Sequence, residues 1–162
     1  MASTLTVDNI VGATSSSNIH IPGHVIQVQQ TIYDAQVTLG SDGTWIDVMS
    51  GSITPLFNDS KIIVEFDTGG IAYSSQDASI RILRSVSGSD TEIVKRARQG
   101  YNSLGNWDGI PFHVVYMDSP TTTSQITYKV QAKKTAGSLE LGSGGAGGDL
   151  NRMTLLMSEI AQ

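Results

Sequence analysis

The chain has 162 residues, a net charge of −5 at pH 7 and no cysteine. The length favours a single domain that can bury a core without disulfide bonds, and the lack of cysteine excludes thiol chemistry. The negative charge argues against nucleic acid as a partner. No apolar run approaches the ~18 residues of a membrane-spanning helix, and the first residues lack the features of a secretory signal. We therefore expect a protein made in the cytoplasm, without membrane insertion.

The composition favours β-structure. Charged residues make up only 15% of the chain and hydrophobic residues 39%. Much of the remainder is serine, threonine, glycine, asparagine and glutamine. This is typical of all-β proteins, because turns use glycine and asparagine and exposed strand faces carry threonine and serine.

The first 22 residues differ from the rest. "STLTVDNI" is strand-like, "VGATSSSN" is a polar run of small residues, and "IHIPG" ends at a Pro-Gly turn signal. We predict an attachment arm with a linker over residues 1–22 and one domain over residues 23–162.

From residue 23 onward, short alternations of apolar and polar residues predict β-strands. "HVIQVQQTIYD" alternates apolar residues with Gln and Thr, and "TWIDVMSGSI" follows Asp42-Gly43, a hairpin turn signal. In "SKIIVEFDTGG", Ile62, Val64 and Phe66 share one face. "ASIRILRSVSGS" and "FHVVYMDSP" are further strands, and "SQITYKVQAKK" has the most regular alternation. About eight or nine strands at this spacing predict an all-β fold, an antiparallel β-sandwich of jelly-roll type.

One segment leaves helix and strand open. "SDTEIVKRARQG" has Ser89 three residues before Glu92, which is the spacing of a capping box, and ends at Gly100. The segment is either a two-turn helix or a strand that leads into a loop.

The C-terminal stretch "LGSGGAGGDLNRMTLLMSEIAQ" also has two interpretations. Gly142, Gly144 and Gly147 have the spacing of a dinucleotide-binding loop that opens a helix at Asp149. Such a loop needs a second strand with an acidic residue further on, and too few residues follow for it. Apolar residues at both odd and even positions of "MTLLMSEI" favour the second interpretation, a final strand after a hairpin tip. Because the dinucleotide motif is incomplete, we predict no cofactor.

Other polar clusters are more typical of solvated surface than of a catalytic site. A Pro-Gly pair separates His20 from His24 and prevents the helix that would align them for a metal. Glu65 and Asp67 lie on the outer side of a predicted strand, where solvated acids are the usual case. Nucleophile-elbow and calcium-loop motifs are absent from the sequence. We predict no metal site and no enzymatic activity.

One basic cluster, Lys95, Arg96 and Arg98, has two interpretations. It suits a phosphate, an anionic glycan or an acidic partner surface. Simple solvation, or pairing with the carboxylates of this acidic chain, explains it more economically.

Aromatic residues in the long connection "GYNSLGNWDGIPF" are stronger candidates for binding. Tyr101, Trp107 and Phe112 lie among glycine, asparagine and aspartate, and loops on a rigid sandwich often carry function. These three residues are the predicted contacts to a protein partner or a glycan. The alternative is that Trp107 folds back and covers an open end of the sandwich.

Four stretches together resemble a known family. They are "STLTVDNIVGATSSSNIHIPGHVIQ", "SITPLFNDSKIIVEFDTGG", "MDSPTTTSQITYKVQAKK" and "MTLLMSEIAQ", in that order along the chain. In these stretches the sequence resembles small virion structural and tail-fibre-like proteins of marine bacteriophages. The resemblance covers roughly half the chain and is poor over residues 85–112. It implies a β-sandwich or jelly-roll module, a homotrimer built into a phage particle, and no enzyme.

These observations lead to a functional prediction with one alternative. We predict a non-enzymatic bacteriophage virion protein, a tail-fibre-like or capsid knob (decoration) module, with other capsid or tail proteins as partners. Its oligomer interface is predicted to include Met153, Leu155 and Met157, because the last strand is apolar on both faces. The alternative is a module that binds a host receptor or surface glycan through residues 100–112.

Overall fold

Eleven antiparallel strands form three sheets in the computed structural model, which describes residues 21–40, 43–74, 78–98, 111–142 and 151–162. Within these residues there is no helix. The strands are β1 (Val25–Tyr33), β2 (Val37–Leu39), β3 (Ile46–Ile53), β4 (Lys61–Asp67), β5 (Ile71–Ser74), β6 (Ala78–Val86), β7 (Ser89–Arg98), β8 (His113–Asp118), β9 (Ile126–Lys134), β10 (Ser138–Leu141) and β11 (Met153–Ile160).

The pairing of the eight longer strands is nested. β1 pairs with β11, β3 with β9, β4 with β8, and β6 with β7. A long antiparallel hairpin with β6–β7 at its tip has thus folded over on itself. The result is two four-stranded sheets with the orders β1-β11-β4-β8 and β3-β9-β6-β7. This is a jelly roll, so the predicted all-β antiparallel sandwich is confirmed.

The sequence pattern predicts the short strand β10, in "SLELGSGG", but it does not predict β2 or β5. β2, β5 and β10 form a third sheet in the order β2-β10-β5. Each lies in a connection between two longer strands, at a point where the chain passes from one large sheet to the other. The three connections are thus hydrogen-bonded to one another. β2 and β5 are too short for an alternation to be recognised.

The core lies between the two large sheets and follows the predicted alternation. Ile62, Val64 and Phe66 of β4 are each 0% exposed, as are Ile126, Tyr128 and Val130 of β9. Complete burial of such a side chain contributes roughly 1.5–3 kcal/mol relative to exposure. These two strands therefore hold the centres of the opposing sheets together.

β1 is a strand as predicted, but a bulge changes which residues face the core. The pairing register with β11 shifts between Val25 and Gln27. Gln27 then faces inward, opposite the buried Glu159, while Val28 and Ile32 are 51% and 44% exposed. The alternation in the sequence marks β1 correctly and gives no sign of the bulge.

The two ambiguous segments are both strands. β7 pairs with β6 from Ser89 to Arg98, and Ser87 and Gly88 between them have φ values of 49° and 82°. Two consecutive residues with positive φ are typical of a type I′ hairpin turn. The helix interpretation of residues 89–100 is therefore wrong for residues 89–98, because long-range pairing outweighs the local capping-box signal. The strand interpretation of "MTLLMSEI" is confirmed, with β11 between β1 and β4.

Candidate functional site

The predicted aromatic contacts are only partly within the described residues. Tyr101 and Trp107 lie outside them. Phe112 is half-buried and packs against the core, and its N–H donates to Thr68 Oγ1 at 2.7 Å. Its side chain thus contributes to the interior at the start of β8. A binding role for residues 100–112 stays a prediction.

The residues predicted for an oligomer interface lie in the core of the same chain. Met153, Leu155 and Met157 are 0%, 0% and 1% exposed. Met157 reaches the opposite sheet, since a Cβ added at Gly51 of β3 would lie 2.7 Å from its Cε atom. An oligomer interface would therefore need other residues than these three. The residues of β11 with the opposite parity, among them Leu156 and Ile160, point away from the core.

The outer side of sheet β1-β11-β4-β8, whose four strands are all described, carries eight apolar residues among polar and charged ones. Cross-strand pairing aligns Val28, Ser158, Ile63 and Met117 in one row across the four strands, and Gln30, Leu156, Glu65 and Val115 in the next row. We call the apolar residues of this side the apolar face: Val25, Val28, Ile32, Ile63, Val115, Met117, Leu156 and Ile160. Four of them, one pair on each edge strand, are especially open to solvent: Val25 56%, Val28 51%, Val115 48% and Met117 56% exposed.

This apolar face contrasts with the outer side of the second large sheet. An antiparallel sheet that covers a core on one side normally carries polar residues on the other. β9 follows that rule, because Thr127, Lys129, Gln131 and Lys133 alternate with its buried residues. The edge strands β1 and β8 depart from it most, because each carries two apolar residues that are about half exposed, whereas the outward residues of β4 include Lys61, Glu65 and Asp67. Exposed apolar residues clustered in this way usually mark interaction sites.

A second feature lies on the polar outer side of sheet β3-β9-β6-β7. Arg81 Cζ lies 4.4 Å from the centroid of the Trp45 ring, Lys133 Nζ 5.0 Å and Lys95 Nζ 6.0 Å. We call these four residues the Trp45 cluster. Each comes from or directly precedes a different strand of the sheet. One such cation–π contact contributes roughly 0.5–1 kcal/mol at an exposed site.

A chain of hydrogen bonds orders the cluster. Arg81 pairs with Glu92 at 3.0 Å, and its Nε donates to Gln131 Oε1 at 2.8 Å. Gln131 in turn donates to Asp47 at 2.6 Å. These contacts restrict the Arg81 guanidinium and the Gln131 amide to one conformation each on the sheet surface.

The surface next to the cluster is indented. The register of β3 against β9 shifts between Asp47 and Met49, which leaves Val48 in a bulge. An open hollow of about 190 Å³ lies there, lined by Asp47, Val48, Met49, Ser50 and Lys129. Bulges commonly redirect side chains next to functional sites. Because of the bulge, Val48 and Met49 are both buried despite their opposite parities, which the sequence pattern does not predict.

Asp118 joins the two large sheets through the interior. Its carboxylate pairs with Arg84 of β6 at 2.7 Å and accepts a hydrogen bond from the Tyr128 hydroxyl of β9 at 2.8 Å. Burial and the adjacent Asp118 charge raise the pKa of Tyr128 far above its ordinary value. The phenol therefore stays protonated and serves as a fixed donor, which makes this triad a structural element.

Glu159 is a second buried carboxylate, 0% exposed. It accepts hydrogen bonds from Gln27 Nε2 at 2.5 Å, from Leu56 N at 2.8 Å and from Phe57 N at 3.3 Å. The Gln27 amide also donates to Thr54 O at 2.7 Å. The carboxylate thereby fastens the β3–β4 connection to β1 and β11.

Strand parity could have found both acids before the structure was known. Glu159 shares the parity of Met153, Leu155 and Met157, and Asp118 shares that of Val114. The Trp45 cluster had no such signal, because its members come together only through pairing of strands distant in sequence.

The remaining predicted polar residues have separate positions. Asp67 pairs with His113 at 3.3 Å at one end of the apolar face, and Glu65 is half-buried beside it. His24 is exposed, and His20 lies outside the described residues. Over the described ranges there is no group of three metal-ligating side chains and no helix long and apolar enough to cross a membrane.

Comparisons with known proteins give slight structural similarities. No protein-family model matches the sequence, and no curated protein matches it. The structure is similar to Eiger TNF from S. frugiperda, with 11% identity over 64% of this chain and 59% of that chain and a TM-score of 0.40. It is also similar to infectious bursal disease virus-derived T=1 particles, with 16% identity over 100% of this chain and 41% of that chain and a TM-score of 0.42.

The Gx strain of infectious bursal disease virus gives 20% identity over 100% of this chain and 42% of that chain, with a TM-score of 0.36. The chain thus spans less than two thirds of the length of each structure it resembles. At TM-scores this low, the class of the protein rests on its own strand pairing, which defines a jelly-roll β-sandwich.

Proposed function

We propose that this chain is a non-enzymatic virion structural protein that assembles with copies of itself through the apolar face. The finer proposal is a bacteriophage tail-fibre-like or capsid knob module that forms a homotrimer, with residues 1–22 as the arm that docks on the particle. The sequence resemblance to phage virion proteins supports this role. The apolar face is the structural observation that carries it.

The size of the face suits the centre of an interface. The outer side of this sheet has four strands about 4.8 Å apart and seven residues long at about 3.3 Å each, so it spans roughly 19 by 23 Å, or about 440 Å² in projection. The apolar face shares this area with polar residues such as Glu65. A stable complex buries about 800 Å² per partner. Because interfaces have an apolar core and a polar rim, the apolar face supplies the core and its surroundings supply the rim.

Charged and polar residues border the apolar face at its ends, and Glu65 lies within it between Leu156 and Val115, a mixture that suits a protein partner. Lys61 donates to Ser119 at 2.8 Å at one end, and Asp67 and His113 pair at the other. A second copy of the chain is a partner that is always present where the protein is made, and its surface also carries mixed charges. In a trimer the face meets a different surface of the neighbour, whereas in a two-fold dimer it meets itself.

The test introduces a charge into the apolar face. We expect the wild-type 17.2-kDa chain to sediment as a trimer at micromolar concentrations. Met117→Glu should shift it to monomer and raise the apparent dissociation constant at least ~100-fold, since an unpaired charge in an interface costs several kcal/mol. Analytical ultracentrifugation measures both values.

Thr91→Glu is the matched control, because Thr91 is exposed on β7 of the other large sheet. It should leave the mass unchanged, and circular dichroism should show that both variants keep the β fold. A wild-type chain that stays monomeric throughout, or an oligomer unaffected by Met117→Glu, would contradict the proposal.

A further inference from the structure

Three cations surround one indole ring on the polar outer side of sheet β3-β9-β6-β7, and within the described part of the chain only one of them, Arg81, has a carboxylate partner. Arg81, Lys133 and Lys95 all lie within 6.0 Å of the Trp45 ring centroid. We propose that the Trp45 cluster and the adjacent hollow bind a carboxylate-bearing saccharide. The site lies on the sheet opposite the apolar face, so this inference does not depend on the proposed assembly.

The balance of charges supports an anionic ligand. Arg81 has Glu92 as its carboxylate partner. Over the described residues, Lys95 and Lys133 form no ion pair, whereas Lys129 on the same strand as Lys133 pairs with Asp90 at 2.9 Å. Two uncompensated ammonium groups thus converge in a chain whose net charge is −5. A carboxylate placed between them accepts charge-assisted hydrogen bonds from both.

The hollow supports a saccharide rather than a bare anion. Its volume of about 190 Å³ is below the ~300 Å³ at which drug-sized sites begin, which suits a single sugar ring. Asp47, Ser50 and Lys129 in its lining offer acceptors and donors to sugar hydroxyls. Trp45 adds the amphipathic aromatic surface that commonly contacts sugar rings.

The surrounding acids argue against an extended polyanion such as nucleic acid. Glu92 contacts Arg81 of the cluster, and Asp47 contacts Gln131 beside it. Asp90 lies near the hollow through its ion pair with Lys129. A polyphosphate backbone would pass these carboxylates and be repelled. One carboxylate group on a neutral sugar would reach the cations and leave its hydroxyls near the acids.

Tryptophan fluorescence tests the site. The chain has two tryptophans, so a Trp107→Phe variant leaves Trp45 as the only reporter. We expect sodium glucuronate to change its emission saturably, and glucose to have no effect. Lys95→Gln and Lys133→Gln should each weaken glucuronate binding about fivefold, as expected for loss of one exposed charge contact.

Arg96→Gln is the matched control. Arg96 is the exposed neighbour of Lys95 on β7, and successive strand residues point to opposite faces, so its loss should leave the affinity unchanged. Three outcomes would overturn the proposal: no saturable response to glucuronate, an equal response to glucose, or an equal loss in Arg96→Gln. Binding of sodium sulfate as tight as that of glucuronate would overturn the saccharide assignment, as would tighter binding of a short oligonucleotide.

Discussion

Replacing Asp118 by alanine should lower the free energy of unfolding by about 3–5 kcal/mol, the usual cost of removing one partner from a buried ion pair. Asp118 is 4% exposed. One of its carboxylate oxygens pairs with Arg84 and the other accepts a hydrogen bond from Tyr128, both on the opposite sheet. The alanine variant would leave a guanidinium and a phenol without their acceptor inside the sandwich. Both large sheets would lose the polar contact that joins them.

Urea unfolding followed by circular dichroism measures this effect. The Met117→Glu background is the appropriate one, because self-association would otherwise add a concentration-dependent term to stability. Asp118→Asn keeps one acceptor and should cost about 1–2 kcal/mol, in line with the loss of one hydrogen bond to a charged group. If Asp118→Ala lowers the free energy of unfolding by less than about 1 kcal/mol, the contact is worth no more than an ordinary surface ion pair. That result would contradict its structural role.

Glu159→Ala should be the next most damaging substitution, with a loss of about 2–4 kcal/mol from leaving buried donors unsatisfied. The Glu159 carboxylate accepts from the Leu56 and Phe57 amides and from Gln27. Alanine would release the β3–β4 connection from β11 as well as reduce global stability. Hydrogen exchange should therefore speed up at residues 56 and 57 more than in β4 or β9.

Glu159→Gln removes the negative charge of this side chain and keeps its length and shape. Its amide oxygen can still accept from the Leu56 N–H, but its amide nitrogen would face the Gln27 donor. We expect an intermediate loss of about 1–2 kcal/mol, with exchange at residues 56 and 57 raised only slightly. Exchange rates at these two amides that match the wild type in Glu159→Ala would contradict the proposed contact.

The fold could be predicted from the sequence wherever one face of a strand alternates without interruption. β4 and β9 are such strands, and their inward residues were identified correctly. The errors fall at irregularities. The bulge near Gln27 turns Val28 and Ile32 outward, and the bulge at Val48 places two successive residues in the core. A bulge inserts one unpaired residue without a composition signal of its own.

The functional surfaces were harder to predict than the core. Apolar residues on both parities of β11 pointed to a strand covered on two sides, and the structure assigns Leu156 and Ile160 to the outer side. The sequence-based prediction names Met153, Leu155 and Met157 for the interface, because parity alone does not say which face of a strand is the inner one. The Trp45 cluster depends on the order β3-β9-β6-β7, which no local pattern contains.

Solvent protection of the apolar face is the most direct measure of the proposed assembly. The chain has no cysteine, so Met117→Cys and Thr91→Cys each introduce a single reactive thiol. The proposed assembly predicts that maleimide labelling of Met117→Cys slows as protein concentration rises through the range where the trimer forms, while Thr91→Cys reacts at a constant rate. Equal and concentration-independent rates at both positions would show that copies of this chain do not meet through the apolar face.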